Sequence, residues 1–581
     1  MSALGEAGEA VRQGALRHPT ALTAYLRGRR LRAGGRSEQA AAAFDRARRR
    51  DPAVPAYGLH LGLALLDVGR RGEAAEVAAE LAEQRRAGLA DPDGLAAAAL
   101  IQAGLGEVGI ARGLAIVAVE AAGRTWPGRA VATLALERAG EPTRALELTS
   151  EPEQQARLTG QLRALDPEWI PELPRRSIPD GGRVLCLLES SLPHAPSGYG
   201  YRSVELLRAL RDAGFDPVAA TRLGFPASRG ITDWAPIERV DGVEYHRFNL
   251  AGVRQYSGIP LDERLRLNAA MVLELAERVE PRLIIAATPH LNGVLALALR
   301  EATGVPVVYD VRGFPEMTWA VQPGGSDSEV YALRRAVETR CAVQADAVMA
   351  PSETMRAELA GRGVDAGRIS IVPQVVDLET YAPRPRSAEL ANAYRIRTEF
   401  VAGCISSLQE YEGIDVLLRA VALVRGEGLD AGALVVGDGP ARSSLESLAA
   451  ELEITEAVAF AGRVERSDAP DHYALLDAFA LPRRDLEVCR AVTPLKPFEA
   501  LAMGVPLIAS DLPALAEVVS ASGGGRLMPP ESPQALAGAL TELARDPGKR
   551  EALGASGRQY MLGGHDRAGA GAALRATLPA P

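Results

Sequence analysis

The stretch AVTPLKPFEALAMGVPLIASD, Ala491 to Asp511, decides the fold. It reads as a loop, a short helix, a stop at Gly504 and a buried strand. Thr493, Pro494, Leu495 and Lys496 form the helix start, where unpaired backbone N–H groups collect, and Lys496 adds a positive charge. That combination suits a diphosphate. Glu499 lies three residues further on, where a carboxylate accepts hydrogen bonds from two vicinal ribose hydroxyls. Its competing role is a capping box with Thr or Lys upstream. The surrounding loop favours the ligand.

Strands alternate with helices on both sides of this stretch. Upstream run FVAGCIS (400–406), the helix GIDVLLRAVALVR, ALVVGDG (433–439), the helix PARSSLESLAAELE, VAFAGRV (458–464) and AFALPR (478–483). An earlier series holds RVLCLLE (183–189), the amphipathic helix YRSVELLRALRDAG, DPVAAT, PRLIIAAT (281–288), PVVYDV (306–311), ADAVMAPS and RISIVP. Such alternation implies parallel sheets covered on both faces. Asp377 to Glu399 breaks the rhythm as a connection, and Pro533 to Pro581 reads as two or three helices. The expected architecture is α/β: two doubly wound, Rossmann-like domains, 183–385 and 386–581, facing a cleft.

Residues 1–165 differ. Gly35 precedes Ala40, Gly69 precedes Ala74, Gly106 precedes Ala111 and Gly140 precedes Ala145, always as Gly-x4-Ala, and two of the offsets are 34 residues. Each Gly suits the turn between paired helices, and each Ala a close helix contact. This resembles tetratricopeptide repeats, although that family's aromatic signature is mostly missing. An all-α helical repeat domain is expected, bringing a partner protein or an extended acceptor. Pro-rich 166–182, DPEWIPELPRRSIPDGG, follows as a linker. An independent boundary there implies that everything before about Leu173 is dispensable for donor binding.

The net charge of −9 argues against a nucleic-acid surface. The basic run Arg46 to Arg50 reads as a solvated helix face. Cys186, Cys341, Cys404 and Cys489 are too scattered for a disulfide framework or a zinc site. MSALGEAGEAVRQG lacks the pattern of a secretory leader, and no apolar run is long enough to span a membrane. A cytoplasmic location is the expectation.

Two glycine loops follow strands. In PSGYGY, Gly198 and Gly200 admit a ligand to backbone or simply make a tight turn. In VVGDGP, Gly437 and Gly439 admit a nucleotide base or make a strand-to-helix turn with Pro440 at N1.

VGDGP, GRV at Gly462, LPR at Leu481 and VTPLKPFEALAMGVPLIASD, in that order, resemble a family-4 retaining glycosyltransferase of the GT-B fold. PSGYGYRSVELLRAL, VPVVYDVRGFPEMTW, APSETMRAEL and ISIVPQVVD agree with it, so the resemblance covers Arg183 to Thr577. It implies a nucleotide-diphosphate sugar as donor substrate, a hydroxyl acceptor, no other cofactor and retention of configuration. Glu499 matches the second Glu of the family's Glu-x7-Glu, but Ala491 stands at the first. Ser407 and Glu412 stand where the family carries an Arg and a Lys for the donor diphosphate. That role passes to Lys496, Arg483 and Arg484, or catalysis is weak and the chain is a scaffold. The family's sugar-facing His falls near Ala287; His290, three residues on, replaces it or is a surface histidine. Arg312 follows a strand end toward the cleft and binds acceptor or sugar, or pairs with Asp310. No Asp-x-Asp pair sits in a suitable loop, so metal-free chemistry is expected.

Overall fold

The computed structural model describes residues 18–86, 89–122, 128–253 and 255–578. The leader reading of the first fourteen residues lies outside these. By contacts the chain divides into two compact units: 1–169 with 257–265 and 315–337, and the remainder.

In the first unit, helices Pro19–Ala33 and Ser37–Arg50, Pro55–Asp67 and Arg71–Glu83, Pro92–Leu105 and Val108–Ala122, and Arg129–Arg138 and Pro142–Leu148 form four successive hairpins. A last helix, Pro152–Ala164, follows them. The turn glycines Gly35, Gly69, Gly106 and Gly140 all sit at positive φ, 73° to 86°, where a Cβ would be strained. Ala40, Ala74, Ala111 and Ala145 are fully buried, as close helix contacts require. The 34-residue spacing thus marks real hairpin geometry.

Two segments from further along the chain pack on these hairpins. Gly109 N donates to Pro323 O at 2.8 Å, and Val330 N donates to Gly140 O at 3.0 Å. Thr143 N donates to Glu329 at 2.9 Å, and Arg112 donates to Asp327 O at 2.7 Å. A Cβ on Gly140 would come within 3.0 Å of Trp319 and Ser328, and one on Gly324 within 2.5 Å of Gly109 Cα. Arg163 pairs with Asp262 at 2.9 Å. The expectation of a detachable repeat domain therefore fails in its premise: the repeats stack on 315–331 as well as on each other. The sequence hides this because the contacts join residues far apart in the chain, several of them through main-chain groups. Removing 1–165 would strip Trp319 of its cover by Val108, Ala111 and Ala139 and leave Pro323 O and Val330 N without their partners. We expect the truncated chain to aggregate, or to melt well below the full-length protein in a thermal scan. An unchanged midpoint with normal donor binding would restore the view of a separable arm.

The second unit holds two sheets. Strands β1 (Arg183–Leu188), β2 (Asp216–Thr221), β3 (Ile237–Val240), β4 (Val243–His246), β5 (Pro281–Ala287), β6 (Val307–Asp310), β7 (Ala347–Ala350) and β8 (Ile369–Ile371) form the first. Their spatial order is β8-β7-β6-β5-β1-β2-β4-β3, parallel except for the β3–β4 pair. Strands β9 (Phe400–Ile405), β10 (Ala431–Val436), β11 (Val458–Gly462), β12 (Ala478–Leu481), β13 (Leu507–Ser510) and β14 (Gly525–Met528) form the second, all parallel, in the order β11-β10-β9-β12-β13-β14. β3, β4 and β14 are short strands, with β3 and β14 at sheet edges, that the sequence reading did not separate from loops. Pro533–Arg545, Pro547–Leu562 and Arg567–Thr577 are the three C-terminal helices. The last of them leaves the second sheet: Ala570 and Leu574 are buried in the core of the first, with Leu207 and Leu210. The first Rossmann-like domain is therefore completed by the chain's C-terminal helix, which corrects a second domain running unbroken from 386 to 581.

Strand order fixes where ligands go. In an open α/β sheet they bind beyond the carboxyl ends of strands, where the order reverses. In the first sheet this point lies between β1 and β5, so the loops after Leu188 and Ala287 border it. In the second it lies between β9 and β12, so the loops 406–413 and 482–486 border it.

Candidate active site

Glu499 stands on the helix Lys496–Ala502, with no solvent exposure. Its Oε2 accepts from Tyr473 Oη at 3.0 Å and from Lys496 Nζ at 3.1 Å. Arg466 NH1 lies 3.1 Å from Oε1. The approach is off the hydrogen-bonding direction, so Oε1 has no hydrogen bond. Burial works against ionisation, but the charges of Lys496 and Arg466 outweigh it and hold the carboxyl below its ordinary range. Two cations thus flank one carboxylate.

The first sheet repeats this pattern. Asp310, at the end of β6, is fully buried between Arg312 Nε at 2.7 Å and Arg202 NH2 at 3.5 Å. Burial opposes its charge, and the two guanidinium groups still depress its carboxyl. Arg312 also donates to Ser203 Oγ at 2.6 Å and packs 4.5 Å over the Tyr199 ring, leaving NH2 without a partner. It therefore makes the Asp310 pair named as its competing role, with one N–H unspent.

His290 begins the helix His290–Thr303 and is 6% exposed, which rules out a surface histidine. Its Nδ1 lies 3.3 Å from Glu338 Oε1, and its backbone N donates to the same oxygen at 2.6 Å. Nε2 has no partner.

The residues at the family's cation positions behave unexpectedly. Glu412 accepts two hydrogen bonds from Arg483, at 3.0 and 2.8 Å. A carboxylate whose charge would repel phosphates is thus neutralised by one of the arginines expected to replace the missing pair. Arg484 turns away to Asp415, at 3.0 Å, and Glu531, at 3.3 Å. Ser407 is exposed, and the neighbouring Ser406 carries a buried hydroxyl with no partner. Ser406, Glu412, Arg483 and Lys496 line one recess at the ends of β9 and β12.

The glycines divide. A Cβ on Gly437 would meet Ser406 O at 1.8 Å, and one on Gly439 would meet Leu408 O at 2.7 Å. Both are required by strand-end loops crossing closely, but Pro440 is not at N1 as the turn reading had it: the next helix begins at Arg442. Gly200 similarly makes room for Ala195 O, whereas the space beside Gly198 is open. The Thr493 side chain is engaged locally: its Oγ1 donates to Ser352 Oγ at 2.8 Å, across to the first sheet's side. Pro494 is half-buried beside it, and Leu495 borders a second recess with Tyr201, Arg202 and Arg466.

Arg466 is the residue that sequence reasoning missed. It follows β11 on the loop Glu465–Asp468, whose charged text reads as solvent-facing. The available signal was its place at a strand's carboxyl end, two residues after GRV.

Residues 388–560 match the family model of glycosyl transferases group 1, and residues 197–374 match the glycosyl transferase 4-like domain. A GDP-mannose-dependent alpha-(1-6)-phosphatidylinositol monomannoside mannosyltransferase of Mycobacterium tuberculosis is 30% identical over 275 residues, covering 46% of this chain and 68% of the relative. The chain belongs to the glycosyltransferase group 1 family. A D-inositol 3-phosphate glycosyltransferase of Kineococcus radiotolerans is 28% identical over 427 residues, 68% of this chain and 94% of the relative. Sucrose-phosphate synthase from Thermosynechococcus elongatus matches with a TM-score of 0.57 at 21% identity, over 68% of this chain and 97% of that one. That likeness concerns the GT-B fold alone. The protein is a glycosyltransferase that takes its sugar from a nucleotide sugar, and both family matches begin after the helical hairpins.

Proposed function

We propose that this glycosyltransferase moves mannose from GDP-mannose, with retention and without a metal ion, to a hydroxyl of a sugar or cyclitol acceptor. The observation that carries the reading is the Glu499 carboxylate, kept ionised between Lys496 and Arg466 beside the second sheet's switch point. An anionic acceptor of that kind binds the vicinal hydroxyls of a ribose. The recess of Ser406, Arg483 and Lys496 next to it takes the diphosphate. The name of the mycobacterial relative supports the donor base and the sugar, and both relatives' names support the acceptor class.

In this reading the anomeric C–O bond to the diphosphate breaks as the acceptor oxygen attacks from the same face. The acceptor's proton passes to the leaving phosphate oxygen. Lys496, and the outer edge of Arg483, offset the charge that grows there. His290 Nε2 and Arg312 NH2 are unspent groups at the ends of β5 and β6 and orient the transferred sugar or the acceptor. The helical hairpins are assigned to the tetratricopeptide class on their Gly-x4-Ala period.

A panel of nucleotide sugars in thermal shift, followed by turnover in EDTA, tests the proposal. GDP-mannose should raise the midpoint most, turnover should survive the chelator, and product NMR should show an α-mannoside. Stabilisation by a uridine donor alone would reject the donor assignment. Turnover abolished by EDTA and restored by Mg²⁺ or Mn²⁺ would reject the metal-free mechanism.

A further inference from the structure

The Arg466 guanidinium touches both sides of the cleft. It lies 4.3 Å over the ring of Tyr201, which belongs to the helix Gly198–Asp212 behind the first sheet's switch-point loop, and 5.6 Å over Tyr381. Its NH1 reaches Glu499, on the second sheet's side. Among the described residues, the other neighbours of Glu499, Lys496, Tyr473 and Tyr381, all belong to the second sheet's side.

We propose that Arg466 is a positioning residue that couples approach of the first-sheet side to the donor carboxylate: Tyr201 seats the guanidinium, and the seated guanidinium fixes Glu499 for the ribose. This rests on Glu499 being the ribose acceptor. The physical logic is one of water exclusion. A guanidinium over an aromatic face gains little when exposed and more when desolvated. When Tyr201 withdraws, Arg466 is hydrated and its hold on Glu499 weakens. When Tyr201 covers it, the ion pair strengthens in the lower dielectric. Oε1 is left without a hydrogen bond, so the pair orients the carboxylate without using up the site that the ligand needs. Donor capture then depends on a residue from the acceptor's side of the cleft. Two interdomain contacts already hold these sides together: Glu517 accepts from Glu353 N and Thr354 N, both at 2.8 Å, and Thr493 donates to Ser352.

The test measures GDP-mannose and GDP affinity by calorimetry, and steady-state rates, for full-length wild type, Tyr201→Leu, Tyr201→Phe, Arg466→Gln, Arg466→Lys and Glu499→Gln. Tyr201→Leu should weaken both ligands by about fivefold, the worth of a partly desolvated cation–π contact, while Tyr201→Phe keeps the ring and the affinity. Arg466→Gln should cost about tenfold or more, mainly in donor KM, with partial rescue by Arg466→Lys. It should also give donor binding an acid limb at higher pH than in wild type. Burial then acts on Glu499 with Lys496 and the Tyr473 hydroxyl left to oppose it, and the neighbouring hydroxyls of Tyr473, Tyr381 and Tyr201, all pushed above their ordinary value, stay neutral in that range. Silent Tyr201→Leu and Arg466→Gln variants beside a crippled Glu499→Gln would overturn the coupling alone. A silent Glu499→Gln would overturn the ribose assignment beneath it. Loss in Arg466→Gln with an unmoved pH profile would assign Arg466 a direct ligand contact and reject the positioning role.

Discussion

Replacing Glu499 by glutamine is expected to reduce donor affinity by about a hundredfold or more, because two charge-assisted hydrogen bonds to ribose are each worth roughly 1.5–3 kcal/mol. Glutamine is the informative change. Alanine would remove more than a ligand group, since Glu499 is fully buried and anchors Arg466, Lys496 and Tyr473. Deleting it leaves two cations facing each other with no counterion, and breaking a buried pair in this way costs about 3–5 kcal/mol of stability. Glutamine keeps the volume and an oxygen for Tyr473 while removing the charge. The pH dependence follows from the same geometry. The folded carboxyl is held below its ordinary range, so its ionised form persists as pH falls through the usual carboxylate region. Its contribution is complete above the unfolded pKa and disappears only as pH falls through the lower, folded one. Wild-type donor binding should therefore stay flat from neutral pH to about pH 5. Calorimetry across that window, with circular dichroism to confirm folding, checks both statements. Normal donor affinity in Glu499→Gln would move the ribose elsewhere.

What the sequence displayed, and what it withheld, follows from the range of the interactions. The parallel strands of both sheets were legible because each is a short apolar run bounded by turn residues, as in Val184–Leu188 and Leu507–Ser510, and the helix between Gly504 and the VTPLKP loop was legible from its own stop signals. The hairpin glycines were legible because positive φ selects glycine locally. Glu412 and Arg483 are 71 residues apart, and nothing near either announces the other. Read alone, Glu412 was a repulsive charge; in the fold it is the partner that pins Arg483. Arg466 is nearly as silent, since its meaning comes from Tyr201, on a helix of the first sheet's side. The docking of 315–331 on the repeats depends on main-chain groups and on the absence of side chains at Gly109, Gly140 and Gly324, which leaves no pattern to read.

That redistribution of charge makes Lys496→Ala the second large expected effect, a loss of about a hundredfold in kcat with a smaller loss of donor affinity. A leaving nucleoside diphosphate gains negative charge as the glycosidic bond breaks, so a cation that strengthens its contact at that moment acts on kcat more than on binding. Three basic side chains were available to supply it. Arg484 is committed to Asp415 and Glu531. Arg483 is held by two hydrogen bonds to Glu412, which fixes its position and offsets its charge. Lys496 makes a single contact to Glu499, keeps a third of its side chain exposed, and lines the same recess as Ser406 and Arg483. A flexible ammonium held by one hydrogen bond moves toward phosphate at small cost. Lys496→Arg should recover part of the rate, because charge is retained at an altered reach. Single-turnover measurements separate the chemical step from product release. If Lys496→Ala turned over normally while Arg483→Ala did not, the buried Glu412–Arg483 pair would be the phosphate clamp, and Glu412→Gln, by freeing Arg483 from its carboxylate, should then tighten GDP binding.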